Sequence, residues 1–445
     1  MASPENQGQR WHLKITAYCL GLISLLTLLL PMQARAVPAF ARQTGQNCVA
    51  CHAGGQFPEL TPYGRMFKMT GYTIGERTIP LSVMGLASSS SIANAPAGTA
   101  KTATPILATT SVFLAGKITD NIGAFTQITY DPYSVDNGDG TFSGHSNADN
   151  MDIRFANHIV GDKQDWIYGV SLNNNPSVSD PWNSAAAWMQ YVPVPSPSSS
   201  QFIDGTAPYP GFASGGNIAG LNAYLYWNRT VYAEVGTYRT ADQALSFMTA
   251  GASPRTQLSG SNNPYWRLAL SHEWGPHNLM VGTSGMVAHV YDDPTDTSDP
   301  ASVGKFRNTG LDAQYQYLLD QHAVTAQLAY MKTEQNYSDA MSTGLPNPGL
   351  GDTNTVTRAK LGYTYQAKYG GSLSFFNLTG STNNQSDPAT SGITYEAFFI
   401  PVQNIRIGAQ YTSYNKYLGA SSNYDGAGRN ASDNNSMFLY VWFAY

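Results

Sequence analysis

Thr357-Arg-Ala-Lys-Leu-Gly-Tyr-Thr-Tyr-Gln-Ala-Lys368 alternates with period two. Ala359, Leu361, Tyr363, Tyr365 and Ala367 fall on one face, and Arg358, Lys360, Gly362, Thr364, Gln366 and Lys368 on the other. Apolar–polar alternation is the signature of a β-strand with two unlike faces. The pattern recurs: Ile405, Ile407, Ala409 and Tyr411 alternate with Arg406, Gly408, Gln410 and Thr412, and Trp266, Leu268 and Leu270 with Arg267, Ala269 and Ser271. A soluble sandwich shows similar alternation, so composition and connections must decide.

Charged residues make up only 12% of the 445-residue chain, against roughly 25% in an ordinary soluble domain. The mean hydropathy of −0.26 argues against a bundle of membrane helices. Low charge with abundant Tyr, Gly, Asn, Ser and Thr suits a transmembrane β-barrel, whose strands face lipid on one side and water on the other. Tight turns are expected near Asp120-Asn121, Gly161–Lys163, Asn228-Arg229, Gly275–His277, Asp320-Gln321, Gly370-Gly371 and Gln403-Asn404. Between them lie long polar connections at Asn94–Pro105, Asp131–Asn150, Asn174–Gly216, Thr240–Asn262, Asp292–Lys305, Thr333–Asn354, Asn383–Gly392 and Leu418–Asn434. Seven turns alternating with eight loops join sixteen strands with both ends on the turn side, which in an outer-membrane barrel is the periplasm. The expected fold is therefore all-β: a 16-stranded antiparallel transmembrane barrel over residues 78–445, in contact with outer-membrane lipid. The last strand, Met437–Tyr445, puts Met437, Leu439, Val441, Phe443 and Tyr445 on one face. Its terminal aromatic resembles the C-terminal signature by which bacterial outer-membrane proteins are inserted.

Residues 1–36 read as a signal peptide. Arg10 and Lys14 form the positive region, Tyr18–Leu30 the apolar one, and Ala34-Arg35-Ala36 an A-x-A cleavage site. That segment carries Arg10, Lys14 and Arg35 against Glu5, so the formal charge of −5 becomes −7 for the remainder. No basic face points to nucleic acid. Cys19 leaves with the signal, so Cys48 and Cys51 are the cysteines of the mature chain.

Those two lie in Cys48-Val-Ala-Cys-His52, the C-x-x-C-H attachment signal of a c-type haem. The thiols add to the vinyl groups, and His52 becomes the proximal ligand of the iron. A closed zinc site wants four ligands, and a thioredoxin-type dithiol wants a βαβ context; neither is present. Residues 37–77 form the haem segment, with one haem c and a short helix that starts at Thr61-Pro62 and stops at Gly71. Met66 or Met69 is the candidate distal ligand, with Met84 further along the chain. Arg65 and Lys68 are candidate propionate partners, weighed equally against a solvated face. A segment of about 40 residues cannot wrap a haem in its own core, so it is expected to plug the barrel lumen.

Elsewhere the signals are weak. The third loop, with Pro193–Ser200, is long enough to narrow the pore, but an outer loop is the favoured reading. Asp292, Asp293, Asp296 and Asp299 read as a solvated acidic loop, and the Asp136–Gly140 stretch as turns without calcium-loop spacing. His145, His158, His272, His277, His289 and His322 show no paired ligand spacing. No G-x-S-x-G or H-E-x-x-H motif suggests hydrolysis.

The stretch Phe40–Tyr72, with F-A-R-Q-T-G, C-V-A-C-H and F-P-E-L-T-P-Y-G-R-M-F-K-M-T-G-Y, resembles the fused outer-membrane cytochrome–porin family of iron-oxidising bacteria. The resemblance implies a monohaem cytochrome joined to a barrel, acting as an oxidoreductase-type electron carrier. It implies electrons taken from extracellular Fe(II), or another donor, and passed to a periplasmic cytochrome. It also assigns Cys48 and Cys51 to the thioethers and His52 to the proximal position. The competing expectations are a diffusion porin with a haem-bearing plug or sensor, a conduit for a different donor or acceptor, and a haem-free porin with a Cys48–Cys51 disulfide.

Overall fold

A computed structural model describes residues 38–55, 59–94, 105–137, 141–182, 218–249 and 257–445. The expected signal peptide, the Ala185–Val192 stretch and Pro193–Ser200 lie outside these. Sixteen antiparallel strands pair in sequence order, and the last returns to the first to close a barrel. They are β1 Leu81–Ile92, β2 Ile106–Lys117, β3 Ile122–Asp136, β4 Phe142–Val160, β5 Asp165–Asn173, β6 Ile218–Trp227, β7 Val231–Thr240 and β8 Pro264–Trp274. They continue as β9 His277–Tyr291, β10 Val303–Leu318, β11 His322–Asn336, β12 Asp352–Tyr365, β13 Tyr369–Gly380, β14 Thr390–Val402, β15 Ile405–Lys416 and β16 Ser436–Ala444. Closure runs from Met84 opposite Ala444 to Ile92 opposite Ser436, and it removes the unpaired edges that lipid cannot hydrate.

The alternation decides which way each side chain faces. Leu114, Leu221, Leu268, Leu311, Leu328, Leu361, Ile407 and Leu439 are exposed and form the apolar outer belt. Inward positions carry Ser111, Gln127, Asp152, Asn222, Arg267 and Gln314, all buried. No described helix is long and apolar enough to cross a membrane. Near the turns, exposed Trp227, Trp274, Tyr363 and Tyr369, with Trp166 stacked on Trp227 at 5.7 Å, make an aromatic girdle of the kind that marks a bilayer interface.

Two connections differ from expectation. The turn placed at Gly370-Gly371 is at Gln366–Lys368, where Gln366 and Ala367 both take φ of 51°. The two glycines instead sit inside β13, where a Cβ on Gly370 would lie 2.3 Å from the Phe398 ring. They make room for a neighbour and do not form the turn. The connection expected over Asp131–Asn150 is mostly strand, because β3 and β4 pair beyond it through register shifts at Thr126/Ile128 and Asp131/Val135. Long polar strands of this kind carry the barrel wall past the lipid, where an apolar outer face is no longer required.

Among the described residues, three α-helices precede β1: α1 Pro38–Thr44, α2 Cys48–Cys51 and α3 Pro62–Met69. Helix α3 begins as expected, with Pro62 in the first turn and the Thr61 hydroxyl accepting from Gly64 N at 3.1 Å. It ends in a Schellman motif: Gly71 takes φ of 74°, Gly71 N donates to Lys68 O and Tyr72 N to Phe67 O.

Candidate functional site

The segment before β1 meets the inner wall at points all round the ring, and these points share one end. Ala39 N donates to Ser82 Oγ at the start of β1, and Lys117 N at the end of β2 donates to Gln43 Oε1. The Tyr224 hydroxyl, near the end of β6, donates to Met69 O at 2.7 Å. Arg65 donates to Gln316 Oε1 near the end of β10 at 3.1 Å. A Cβ on Gly54 would touch Thr364 and Ala323, which pair at the end of β12 and the start of β11, beside the β12–β13 and β10–β11 turns. Gln403, in the β14–β15 turn, donates to Cys48 Sγ at 2.9 Å. These contacts lie at the turn-side ends of the strands.

Within it, Cys48 to Cys51 form a single helical turn, and no disulfide joins the two thiols. His52 follows as the cap and forms an isolated β-bridge with Leu60. Helix α3 crosses directly behind the motif, so closely that a Cβ on Gly64 would lie 2.1 Å from Cys51 O. Only glycine permits that approach. Thr61 joins the two helices, its N–H donating to Cys51 O and its hydroxyl to Ala50 O.

These residues fit a covalently attached haem. Burial, and secondarily Cys48, push the Cys51 thiol up to about 12. This is the reverse of an exchange-active dithiol, whose attacking sulfur is depressed, and a thioether carries no charge to bury. Burial pushes His52 down to about 3, so its imidazole is neutral, the form that binds a metal. A small cleft is bordered by Ala53 and Glu59 from the segment and by wall residues of β11–β15.

The other expected site residues are held by the wall. Arg65 is buried, donates to Leu60 O, Gln316 and Asn278, and lies 3.7 Å from Glu273. Lys68 is buried and donates to Asp180 O at 2.9 Å. Both cations anchor helix α3, and neither is on a solvated face. Met69, 1% exposed, packs with Ile167, Trp182, Tyr224, Tyr232 and Met280, while Met66 is half-buried at the rim of that cluster. Met84 is a β1 residue opposite Ala444.

The third loop does not begin as an outer loop. Asn174–Trp182 turns inward, with Trp182 1% exposed and T-stacked on Tyr232 at 5.4 Å. Its Asp180 pairs with Arg267 at 2.9 Å, and Arg267 pairs with both oxygens of Asp312. Next to it, Asp152 accepts from Arg154 Nε and the Tyr72 hydroxyl at 2.6 Å. Arg154 donates onward to Ser179 O. None of Tyr72, Asp152, Arg154, Asp180, Arg267 and Asp312 stood out as a site residue in the sequence. The usable signal was a charge at an inward position of a strand, as at Arg267 in β8.

Asp293, Asp296 and Asp299 accept from residues two further on, and no cluster of metal-ligating side chains occurs among the described residues. His158 pairs with Asp165, His277 with Tyr315 and His322 with Tyr363, all beside turns.

No family model and no curated protein matches the chain. Solved structures similar to it include Salmonella typhi OmpF in complex with daunomycin, at 11% identity and a TM-score of 0.45 over 82% of this chain and 97% of that one. The outer membrane channel DcaP of Acinetobacter baumannii matches at 11% and 0.45, over 82% and 96%. The anion-selective porin from Comamonas acidovorans matches at 10% and 0.43, over 82% and 99%. The class rests on the chain's own closed ring of sixteen strand pairs and its apolar outer belt: a porin-like outer-membrane barrel.

Proposed function

We propose that this barrel is an outer-membrane electron-transfer conduit whose turn-side mouth is closed by a segment bearing one haem c. It belongs, in this reading, with the fused cytochrome–porin proteins that its Phe40–Tyr72 stretch resembles. The donor is extracellular, Fe(II) foremost, and the acceptor is a periplasmic carrier on the turn side. The observation that carries the reading is the placement of Cys48 and Cys51 on one helical turn, with His52 directly at its cap, within a segment tied to inner-wall residues at the turn ends.

A haem c supplies one-electron chemistry without a substrate pocket. The chain's residues hold it and shield it. Cys48 and Cys51 provide the thioether sulfurs and His52 the proximal nitrogen. Met66, at the rim of its cluster and less enclosed than Met69, is the better placed candidate for the opposite face. Arg65, Lys68 and Tyr72 fix helix α3, and so fix what faces the motif across Gly64. Fe(II) itself stays on the loop side, which suits a reductant whose oxidised product is poorly soluble.

A polar inner wall favours a second reading, a diffusion porin with the segment as plug or sensor. Ser111, Gln127, Asn222 and Gln314 are polar side chains on that wall, of the kind a porin interior carries.

The test is the optical spectrum of outer membranes containing the full-length protein, before and after anaerobic Fe(II), with solute flux measured in parallel. A c-type α-band that sharpens with Fe(II), and little flux, supports the conduit. A band reduced by dithionite but not by Fe(II) leaves a haem barrel with another donor. Solute flux without a haem band sinks the conduit and leaves the porin.

A further inference from the structure

We infer that the loop-side end of the outward face of β10 and β11 binds the phosphate groups of outer-leaflet lipid, through Lys305, Arg307 and Lys332. The inference stands on the barrel alone and does not depend on the haem reading.

It starts from the order of residues along one strand. The outward face of β10 runs from Lys305 and Arg307 through Thr309 and Leu311 to Tyr315 and Tyr317, while Asn308, Asp312, Gln314 and Gln316 between them are buried. The face passes from cationic to apolar to aromatic. Tyr317 belongs to the turn-side girdle, stacked on His277 at 4.8 Å, with His277 on Trp274 at 5.2 Å. From Tyr317 to Arg307 the strand runs about 34 Å. A tilt of about 40° reduces this to about 26 Å of height, the span of an outer-membrane apolar band. Arg307 therefore sits at the opposite interface, on the loop side, which faces outward in a barrel of this kind.

Two outward aromatics fix that level independently. Trp266 is 40% exposed and Tyr330 42%. Trp266 is opposite Gly285, Gly285 opposite Thr309, and Thr309 opposite Lys332, so Trp266 and Lys332 share one register row. Tyr330 is opposite Leu311, just below. Trp and Tyr concentrate at the headgroup level of a membrane.

The charges do not cancel there. Lys332 pairs with Glu334 at 2.8 Å, and Arg307 is directly opposite the same carboxylate. Lys305 and Arg307 are exposed and form no ion pair among the described residues. The other register neighbours, Val287 and His289 on β9 and Asn336 on β11, bring no carboxylate. Three cations against one carboxylate leave a surplus of two positive charges. Phosphate suits this group: a guanidinium meets it with a two-pronged fork and an ammonium as a point charge. Lipid is favoured over a free anion because the cations top an apolar strip, Leu311 and Leu328 being 59% and 50% exposed. Acyl chains would lie along that strip. Arg239, on the loop side of β7, is the contrast, since it is paired with Asp242 at 2.9 Å.

The experiment uses the full-length protein as purified from outer membranes. It is titrated in detergent with diphosphorylated lipid A and with the dephosphorylated form, and bound lipid is counted by native mass spectrometry. Wild type is expected to bind the phosphorylated lipid saturably. The double variant Lys305→Gln/Arg307→Gln should bind it about 30-fold more weakly, at the usual strength of a cation at a lipid surface. Arg307→Lys, which keeps the charge and loses the fork, should lose less, and Arg239→Gln should bind as wild type does. The dephosphorylated form should not distinguish wild type from the double variant. If the double variant does not fold, Lys305→Gln alone carries the test. Equal binding by wild type and variant, or no preference for the phosphorylated lipid, overturns the inference. Displacement of the lipid by inorganic phosphate at equal concentration would make this a free-anion site and overturn the lipid assignment.

Discussion

The two halves of the lumen hold the N-terminal segment in different ways. On the β4–β10 side the packing is dense and ionic: Arg154 with Asp152, Arg267 with Asp180 and Asp312, and Trp182 from the third loop against Tyr232. On the β11–β16 side the segment leaves a cleft, and Glu59–Lys360 is its ion pair to the wall there among the described residues. The dense half fixes helix α3, while the open half leaves a small cleft beside Ala53 and Glu59.

The harshest way to break the comparison is Arg267→Ala. Its side chain is fully buried, and its loss leaves Asp180 and Asp312 without their cation. Breaking a buried ionic network by removing one partner costs about 3–5 kcal/mol. The expected outcome is a lower denaturant midpoint for the detergent-solubilised barrel, with the third loop and segment open to protease first. A loss below about 1 kcal/mol would mean that the dense half is not the anchor.

A second test asks whether the asymmetry is confined to the lumen. Leu268 on β8 and Leu361 on β12 are outward and exposed, 44% and 52%. Arg at the lipid midplane costs about 2–4 kcal/mol on either side of the ring. Leu268→Arg and Leu361→Arg are expected to reduce folding into vesicles equally. Unequal losses would place one strand out of contact with lipid.

The third test presses on the open half. Gly54 has φ of 60°, and a Cβ there would lie 2.7 Å from Thr364 Cβ. Gly54→Val strains the backbone and drives the wall back, at a cost of about 1–3 kcal/mol. Limited proteolysis of residues 38–77 is expected to speed up while the strands stay protected. Equal protection would show that the open half yields without loss.

Most of the barrel was legible because its physics is local and repetitive. Alternation orients each side chain, and the count of short and long connections sets strand number and parity. The Gly370-Gly371 turn was misplaced because glycine serves two purposes, a turn or clearance for a ring such as Phe398, and one sequence does not separate them. The helical turn at Cys48–Cys51 and the Thr61-Pro62 helix start were legible because each is set by neighbouring residues. Arg65 and Lys68 are different. Their partners Gln316 and Asp180 lie 251 and 112 residues away, so nothing local distinguishes an anchor from a solvated cation. The inward turn of Asn174–Trp182 was hidden for the same reason, since it depends on Arg267.

The smallest expected effect falls where the two halves meet. Thr61 caps helix α3 through Gly64 N and donates its hydroxyl to Ala50 O inside the motif helix. Thr61→Ala removes an N-cap, at about 1 kcal/mol, and unties α2 from α3. Thr61→Ser keeps the oxygen and is expected to restore stability. Global unfolding will barely register a change of this size, so the informative reading is local: hydrogen exchange at Arg65 and Thr61 N–H. Faster exchange there in the Ala variant, with the Arg154 and Arg267 contacts still protected, would show that the motif is positioned from the centre of the segment. If exchange spreads through Lys68 to Tyr72, the dense half depends on the motif and the two halves are one unit.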